Sequence, residues 1–93
     1  MYKLLGDYNE AIDDFTQCLK YLKNKVENDM FINVLLNRAY AFGKINKYKD
    51  AITDYSRILK HYPNHIHSLF NRAICYQKDL NYIQVIYLKL IRN

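Results

Sequence analysis

The sequence predicts an all-α protein built from helical units that repeat along the chain as a solenoid. The block Leu35–Tyr40 returns 34 residues later as Leu69–Ile74. A second block, Tyr48–Tyr55, has an earlier copy at Tyr8–Phe15. A period in the thirties with helical patterning is typical of a solenoid. Only two glycines and one proline occur among the 93 residues, which favours long helices over a turn-rich sheet.

The length and charge of the chain restrict its class. A chain of 93 residues forms at most one small domain. The net charge of +5 comes from lysines near expected turns and helix ends, which predicts solvated segments. An acidic partner is the alternative interpretation and nucleic acid a minor one, because no helix carries a dense basic stripe.

The apolar pattern argues against a membrane location. No apolar run approaches the roughly 20 residues of a membrane span. The N-terminal sequence turns acidic where a signal peptide would have its apolar core. We therefore expect an intracellular, cytoplasmic protein with no membrane partner, and a ciliary or cytoskeletal location is the alternative.

The cysteines and histidines do not form a recognisable site. Cys18 and Cys75 occupy small apolar positions of the helical pattern, so we expect two buried thiols in a reducing compartment. Pro63 interrupts the helix among three histidines, and no carboxylate lies nearby to complete a metal site. We therefore predict a polar turn there and no metal or cofactor; the histidines are His61, His65 and His67.

Catalytic chemistry is also not predicted. The periodicity places four aspartates on outer helix faces, whereas acid–base catalysis needs carboxylates in a shared cleft. The sequence contains no Gly-rich phosphate loop and no recognisable nucleophile motif. We predict that the protein is not an enzyme; the aspartates are Asp13, Asp14, Asp50 and Asp54.

The first part of the chain predicts a short helix tail followed by a full helix. Residues 1–5 form the tail, Gly6 is the expected helix stop, and Asp7 is the expected N-cap of the next helix. Apolar residues then recur in steps of three and four, which describes one helical face. These residues are Tyr8, Ala11, Ile12, Phe15, Cys18, Leu19 and Leu22.

Two further helices are expected in the middle of the chain. A polar segment over residues 23–29 forms a loop, and Asn28 or Asp29 caps the helix that follows over about residues 30–44. A turn at Asn46–Lys47 leads into a helix over about residues 48–62, which Pro63 ends. The expected inward residues are Phe31, Leu35, Arg38, Ala39 and Phe42, then Tyr48, Ala51, Ile52, Tyr55, Ile58 and Leu59.

The last part of the chain predicts a helix pair. For the whole chain we predict five helices or nearly so, the first being only a stub. Asn64 caps a helix over about residues 65–78, and Asp79–Asn81 forms a turn before a final helix over 82–92. The inward residues of the first member are expected to be Leu69, Ala73 and Tyr76.

These residues resemble the tetratricopeptide repeat. Gly6–Ile12 and the series that begins at Tyr48 and ends at Pro63 match its motif, with small residues at the positions of close helix crossing. The resemblance implies antiparallel helix-turn-helix units stacked as a right-handed α-solenoid, in a single domain. It divides the chain into a partial repeat over 1–28, a full repeat over 29–63 and a degenerate repeat over 64–93. The small residues are Ala11, Ala39, Ala51 and Ala73.

The resemblance also implies a protein-binding groove lined by the first helix of each repeat. A peptide or helix of a partner, with some acidic residues, would lie in that groove. The alternative is that the apolar positions only pack against neighbouring helices. The expected groove residues are Asn33, Leu36, Asn37, Tyr40 and Lys44, then His67, Phe70, Asn71, Ile74 and Lys78.

The sequence is compatible with two functions. The first is a protein-interaction module, and the second is a fragment of a longer scaffold in a large assembly such as a ciliary or chaperone complex. Both ends of the chain carry apolar helix faces, so the second hypothesis includes self-association through the terminal repeats. Measurement of molecular mass would discriminate between them.

Overall fold

The protein consists of four α-helices in the computed structural model, which describes residues 5–23 and 29–92. No strand occurs in these two ranges. Each helix packs against the next one along the chain, which confirms the predicted all-α helical-repeat architecture. The helices are α1 (Leu5–Tyr21), α2 (Asp29–Lys44), α3 (Tyr48–His61) and α4 (Ile66–Arg92).

The hydrophobic core is centred on α2 and α3. Both helices place apolar residues three and four positions apart, so one face of each is buried against the other. Ala39 and Ala51 are completely buried, in agreement with their predicted positions at a close helix contact. The core consists of Leu19, Phe31, Ile32, Val34, Leu35, Ala39, Ala51, Tyr55, Ile58 and Cys75.

A tight turn joins α2 to α3, as predicted. Asn46 has a φ of 65°, in the left-handed region that asparagine tolerates better than most residues. The Asn46 Oδ1 atom accepts a hydrogen bond of 2.8 Å from the hydroxyl of Tyr48. The amide of Lys47 donates to the carbonyl of Phe42 at 2.9 Å, which closes the turn.

The predicted turn at Asp79–Asn81 does not form, so the two helices predicted over 65–78 and 82–92 are a single helix. α4 runs without a break through these residues and is 27 residues long in total. This corresponds to about 40 Å. The repeat spacing of 34 places Leu80 where the turn of the preceding repeat has Asn46. Because leucine adopts a positive φ only at a cost of about 1–2 kcal/mol, the helix continues and residues 82–92 form its C-terminal part.

The first helix begins earlier than expected. Gly6 and Asp7 both lie inside α1, so neither the predicted helix stop nor the predicted N-cap is correct. Gly6 has a negative φ, which a helix accommodates, and Asp7 lies in the first turn, where the helix dipole favours a negative charge. The predicted tail over residues 1–5 and the Asn28 cap fall largely outside the described residues.

The fourth helix is capped by a histidine and not by Asn64. The Nδ1 atom of His65 accepts a hydrogen bond from the amide of Ser68 at 3.2 Å and lies 2.8 Å from its hydroxyl. His65 directly precedes the first helical residue, Ile66, whereas Asn64 lies one residue too early to cap it. α3 ends at His61, before Pro63, as predicted.

Burial differs from expectation in the outer helices. Cys75 is buried as predicted, but Cys18 is exposed. Leu69, Ala73 and Tyr76 were expected to face inward and are exposed. α1 makes its main packing contact with α2 alone, and α4 with α3 alone. The opposite face of each outer helix is therefore not covered by a described helix.

Candidate functional site

A hollow of about 160 Å³ lies between α2 and α4, and we call it the α2–α4 groove. Five of the ten predicted site residues line it, so the structure brings this half of the prediction together. Tyr40 and Lys44 come from α2, and Asn71, Ile74 and Lys78 come from α4. The remaining lining residues are Gly43, Tyr48, Tyr55 and Cys75.

A second hollow of about 330 Å³ continues from the first. The two share Tyr48 and Lys78, so they form one elongated depression along α4. The continuous α4 helix contributes Asn81 and Tyr82 to the second hollow. These two residues were expected in a turn and at the start of a fifth helix, so sequence analysis missed this extension.

The rim of the α2–α4 groove combines an aromatic ring with two lysines. Tyr40 is 53% exposed, and the Nζ atom of Lys44 lies 5.1 Å from the centre of its ring. A cation within about 6 Å of a ring face is attracted by the ring quadrupole. This contact orients Lys44, while Lys78 lies on the opposite wall of the groove.

Asparagines at repeat-equivalent positions have the same hydrogen-bonding arrangement. The Nδ2 atom of Asn37 donates to the carbonyl of Asn33 at 2.8 Å. Asn71 donates in the same way to the carbonyl of His67 at 2.9 Å. In each case the amide nitrogen is engaged within its own helix, and the amide oxygen remains available as an acceptor for a ligand N–H group.

The other predicted site residues lie outside the α2–α4 groove. Asn33 borders a separate hollow near His65 at the opposite end of α2. Leu36 packs partly against the core, as the alternative interpretation for the apolar positions expected, whereas Phe70 is 64% exposed. The remaining two, Asn37 and His67, are exposed and line none of these hollows.

The floor of the groove comes from residues that the sequence placed in the core. Tyr55 is 2% exposed, and burial, followed by the charges of Cys75, Tyr40 and Asp54, raises its pKa to about 12. Burial also raises the pKa of the Cys75 thiol, against a smaller lowering by Lys78. Both groups are therefore neutral near pH 7, and the charge of the groove comes from its two lysines.

A buried ion pair ties the helices together behind the groove. The Nε atom of Arg38 donates to Oδ2 of Asp54 and its Nη2 atom to Oδ1, both at 2.8 Å. The Nη1 atom donates to the hydroxyl of Thr16 in α1 at 3.0 Å. Asp54, expected on an outer face, is 1% exposed, because it pairs with an arginine on the inward face of α2.

This ion pair is a structural contact between the helices. Both carboxylate oxygens of Asp54 are engaged, and the hydrogen bond to Asp54 is the largest cause of the raised pKa of Arg38. Arg38 also stacks over Phe42, with 5.5 Å between the guanidinium carbon and the ring centre. One side chain thus connects α1, α2 and α3.

The described residues, 5–23 and 29–92, hold neither a metal-binding cluster nor a membrane-spanning helix. In these ranges no group of three or more His, Cys, Asp or Glu side chains is arranged to hold a metal ion. Within the same ranges, none of the helices has the length and apolar character needed to cross a membrane.

The fold and the groove define a helical-repeat protein with an open, polar-rimmed depression between alternate helices. Two family models, both described as the tetratricopeptide repeat, match residues 32–65 and 1–22. The chain belongs to the tetratricopeptide repeat family and contains a couple of repeats. Members of this family are generally protein–protein interaction modules and are typically not enzymes. No solved structure matches the chain.

Proposed function

We propose that this protein is a non-enzymatic interaction module that binds a peptide or helix of a partner protein in the α2–α4 groove. The main observation is that Tyr40 and Lys44 of α2 face the same hollow as Asn71, Ile74 and Lys78 of α4. Helical-repeat proteins use such extended surfaces to bind partners. The module would need no cofactor and would act in the cytoplasm, with a ciliary or cytoskeletal site as the alternative.

The chemistry of the groove favours a partner with acidic residues and an apolar anchor. Lys44 and Lys78 are exposed and positively charged. Tyr40 and Ile74 supply apolar surface between them, and Asn71 supplies an amide oxygen for a backbone N–H group. Aromatic anchors commonly dominate binding energy, whereas rim charges mainly tune association rate and salt dependence.

The other predicted residues would extend this surface along the repeats. Asn33, Asn37, His67 and Phe70 are exposed on the same two helices. A long peptide that follows the groove would reach some of them, and Leu36 would contribute its exposed part. In this proposal the binding surface spans the repeat units 29–63 and 64–93.

The experiment begins with selection of a binding peptide from a random library displayed on phage. Its affinity for the protein is then measured by fluorescence anisotropy at several salt concentrations. We expect Tyr40→Ala combined with Ile74→Ala to weaken binding at least about 10-fold, since a buried anchor contributes about 2 kcal/mol or more. Lys44→Glu combined with Lys78→Glu should weaken binding and remove its salt dependence.

A matched control uses lysines away from the groove. Lys49 and Lys60 are exposed on α3 and line none of the hollows described above. The double variant Lys49→Glu and Lys60→Glu has the same change in net charge as the groove variant. Equal affinity of the selected peptide for the parent, the control and both groove variants would contradict the proposal.

A second candidate function is that of a scaffold unit within a larger assembly. The observation that favours it is the apolar surface of α4, where residues such as Leu80, Ile83 and Leu90 are exposed. Apolar surface of this kind commonly marks an interface. A protein that stays monomeric at all concentrations favours the isolated module, whereas self-association favours the scaffold.

A further inference from the structure

The contact between α2 and α3 shows which two helix faces fit together in this protein. The same two kinds of face recur, uncovered by any described helix, on α4 and α1. On α2 the contact involves Leu35, Arg38 and Ala39, and on α3 it involves Ala51 and Asp54. The alanines permit close approach of the helices, and the arginine joins the aspartate through two hydrogen bonds of 2.8 Å. A face like that of α2 therefore matches a face like that of α3.

The first half of α4 repeats the α2 face, 34 residues later. Arg72 donates to the hydroxyl of Ser56 at 3.0 Å, as Arg38 does to Thr16. Arg72 also stacks over Tyr76 at 5.9 Å, as Arg38 stacks over Phe42. Among the described residues, however, no carboxylate pairs with Arg72. Around it Leu69 and Ala73 are exposed, so no described helix covers this α2-like face of α4 as α3 covers α2.

The α1 helix repeats the α3 face, 40 residues earlier. Ala11 corresponds to Ala51, and Asp14 corresponds to Asp54. Asp14 is exposed, and it has no ion pair within the part of the chain that the structure describes. Cys18, at the position of the buried Ile58, is exposed as well. α1 therefore presents an α3-like face that has no α2-like partner among the helices that the structure describes.

The C-terminal part of α4 is a poor partner for the α2-like face. The straight helix holds residues 82–92 away from residues 66–78 of the same chain. Its sequence also differs from the α3 face, because Leu88 corresponds to Asp54 and Lys89 to Tyr55. A leucine gives Arg72 no hydrogen-bond acceptor, and a second cation beside it would be repulsive.

We propose that α1 of a second copy of this chain docks on α4 as α3 docks on α2, with Asp14 of one copy paired to Arg72 of the other. Each copy then offers two different docking faces, one on α1 and one on α4. The contact is therefore head-to-tail and extends to further copies. Neither Asp14 nor Arg72 lines the α2–α4 groove. The association is therefore separate from peptide binding, and either proposal can fail without the other.

The test is sedimentation velocity of the full 93-residue chain from about 10 µM to about 1 mM, a range suited to a small and weak interface. The mean mass of the parent should rise with concentration beyond that of a dimer. Asp14→Arg and Arg72→Asp should each weaken the association at least about 10-fold, because each places like charges opposite one another. The double variant should restore it, since the charges are exchanged.

Two further variants keep the test decisive. Asp13→Arg makes the same charge change on an exposed neighbour in α1 and should leave the association intact. Ala73→Arg should block docking through its size and leave the monomer folded, because Ala73 is exposed. This variant replaces Arg72→Asp if the latter loses helicity in circular dichroism.

Specific outcomes would overturn the proposal. A parent that stays monomeric at the highest concentration excludes the head-to-tail contact. So does an association that Asp14→Arg leaves unchanged, which would point to pairing of two α4 helices. Failure of the double variant to recover, with both helices still folded, would show that Asp14 and Arg72 do not meet.

Discussion

The α2–α3 pair and the α4 helix start from the same repeat pattern and reach different structures. In the first, Asn46 takes a positive φ and the chain turns back, so that α3 covers α2. In the second, the equivalent residue is Leu80 and the helix runs straight on. Helix periodicity therefore does not decide whether two consecutive helices fold back on each other as a pair. The residue at the left-handed position of the turn contributes to that decision.

Residues of the same type at equivalent positions of α2 and α4 differ in burial because α3 covers α2, whereas no described helix covers the corresponding face of α4. Leu35 is completely buried, whereas its equivalent Leu69 is 39% exposed. Ala39 is buried and Ala73 is exposed. The two helices carry similar faces, but within residues 5–23 and 29–92 only α2 of the two has a helix packed on each side. A residue in a repeat is therefore buried by its neighbouring unit as much as by its own hydrophobicity.

The largest loss of stability should come from breaking the ion pair between Arg38 and Asp54 in the α2–α3 pair. Asp54→Ala leaves Arg38 partly buried without its carboxylate, which should lower the free energy of unfolding by about 3–5 kcal/mol. The matched control is Asp14→Ala, the repeat-equivalent aspartate, which is exposed and should change stability by less than about 0.5 kcal/mol. Urea denaturation of dilute protein measures both, and equal losses would contradict the contrast between the two faces.

Alkaline pH should destabilise the protein through Tyr55, the buried tyrosine of the α2–α3 pair. The pKa of Tyr55 is raised from 10.0 to about 12, so its neutral form is favoured in the folded state. The contribution of neutral Tyr55 to the free energy of unfolding is fully present below pH 10 and is lost as the pH rises through about 12. Two pKa units correspond to about 3 kcal/mol. The measurement is urea denaturation between pH 9 and pH 12, with an expected flatter decline for Tyr55→Phe.

Tyr87→Phe is the control for this pH dependence, because Tyr87 is exposed in α4. Its stability should follow that of the parent at every pH. Identical pH profiles for the parent and Tyr55→Phe would show that Tyr55 ionises as readily in the folded state as in the unfolded state.

Replacing an alanine by leucine should cost more stability in α3, where the alanine is buried, than at the equivalent position of α1. Ala51 is completely buried, and Ala51→Leu should cost about 1–3 kcal/mol through overpacking. Ala11→Leu changes the equivalent position of α1, which is only half-buried, and should cost less than about 1 kcal/mol. An unchanged thermal midpoint for Ala51→Leu would rule out a tight helix crossing at that residue.

The smallest expected effect concerns the turn itself. Asn46→Leu forces leucine into the left-handed region and should cost about 1 kcal/mol, while Asn46→Gly should be close to neutral. In the other region, Leu80→Asn combined with Gln77→Gly reproduces both Gly43 and Asn46 of the preceding turn. This double variant should allow α4 to bend.

Bending of α4 is measurable as a distance between spin labels at residues 66 and 92, with both native cysteines replaced. The straight helix spans about 40 Å, from a rise of about 1.5 Å per residue. The double variant should add a population at a much shorter distance. An unchanged distance distribution would mean that features beyond the turn residues keep α4 straight.

The sequence by itself determined the helical class, the helix bounds in the middle of the chain and the core positions of α2 and α3. These features depend on local periodicity, on the break at Pro63 and on the repeat spacing, all of which are visible in one chain. It also pointed to Tyr40, Lys44, Asn71, Ile74 and Lys78, which the structure places around one groove.

Only the tertiary structure decided which faces are covered. Asp54 was expected on an outer helix face, yet Arg38 from another helix pairs with it and keeps it buried. Leu69 and Tyr76 were expected inside because of their apolar character, yet no described helix covers their side of α4. Helix periodicity marks a face that favours burial, but a partner helix must be present for that burial to occur.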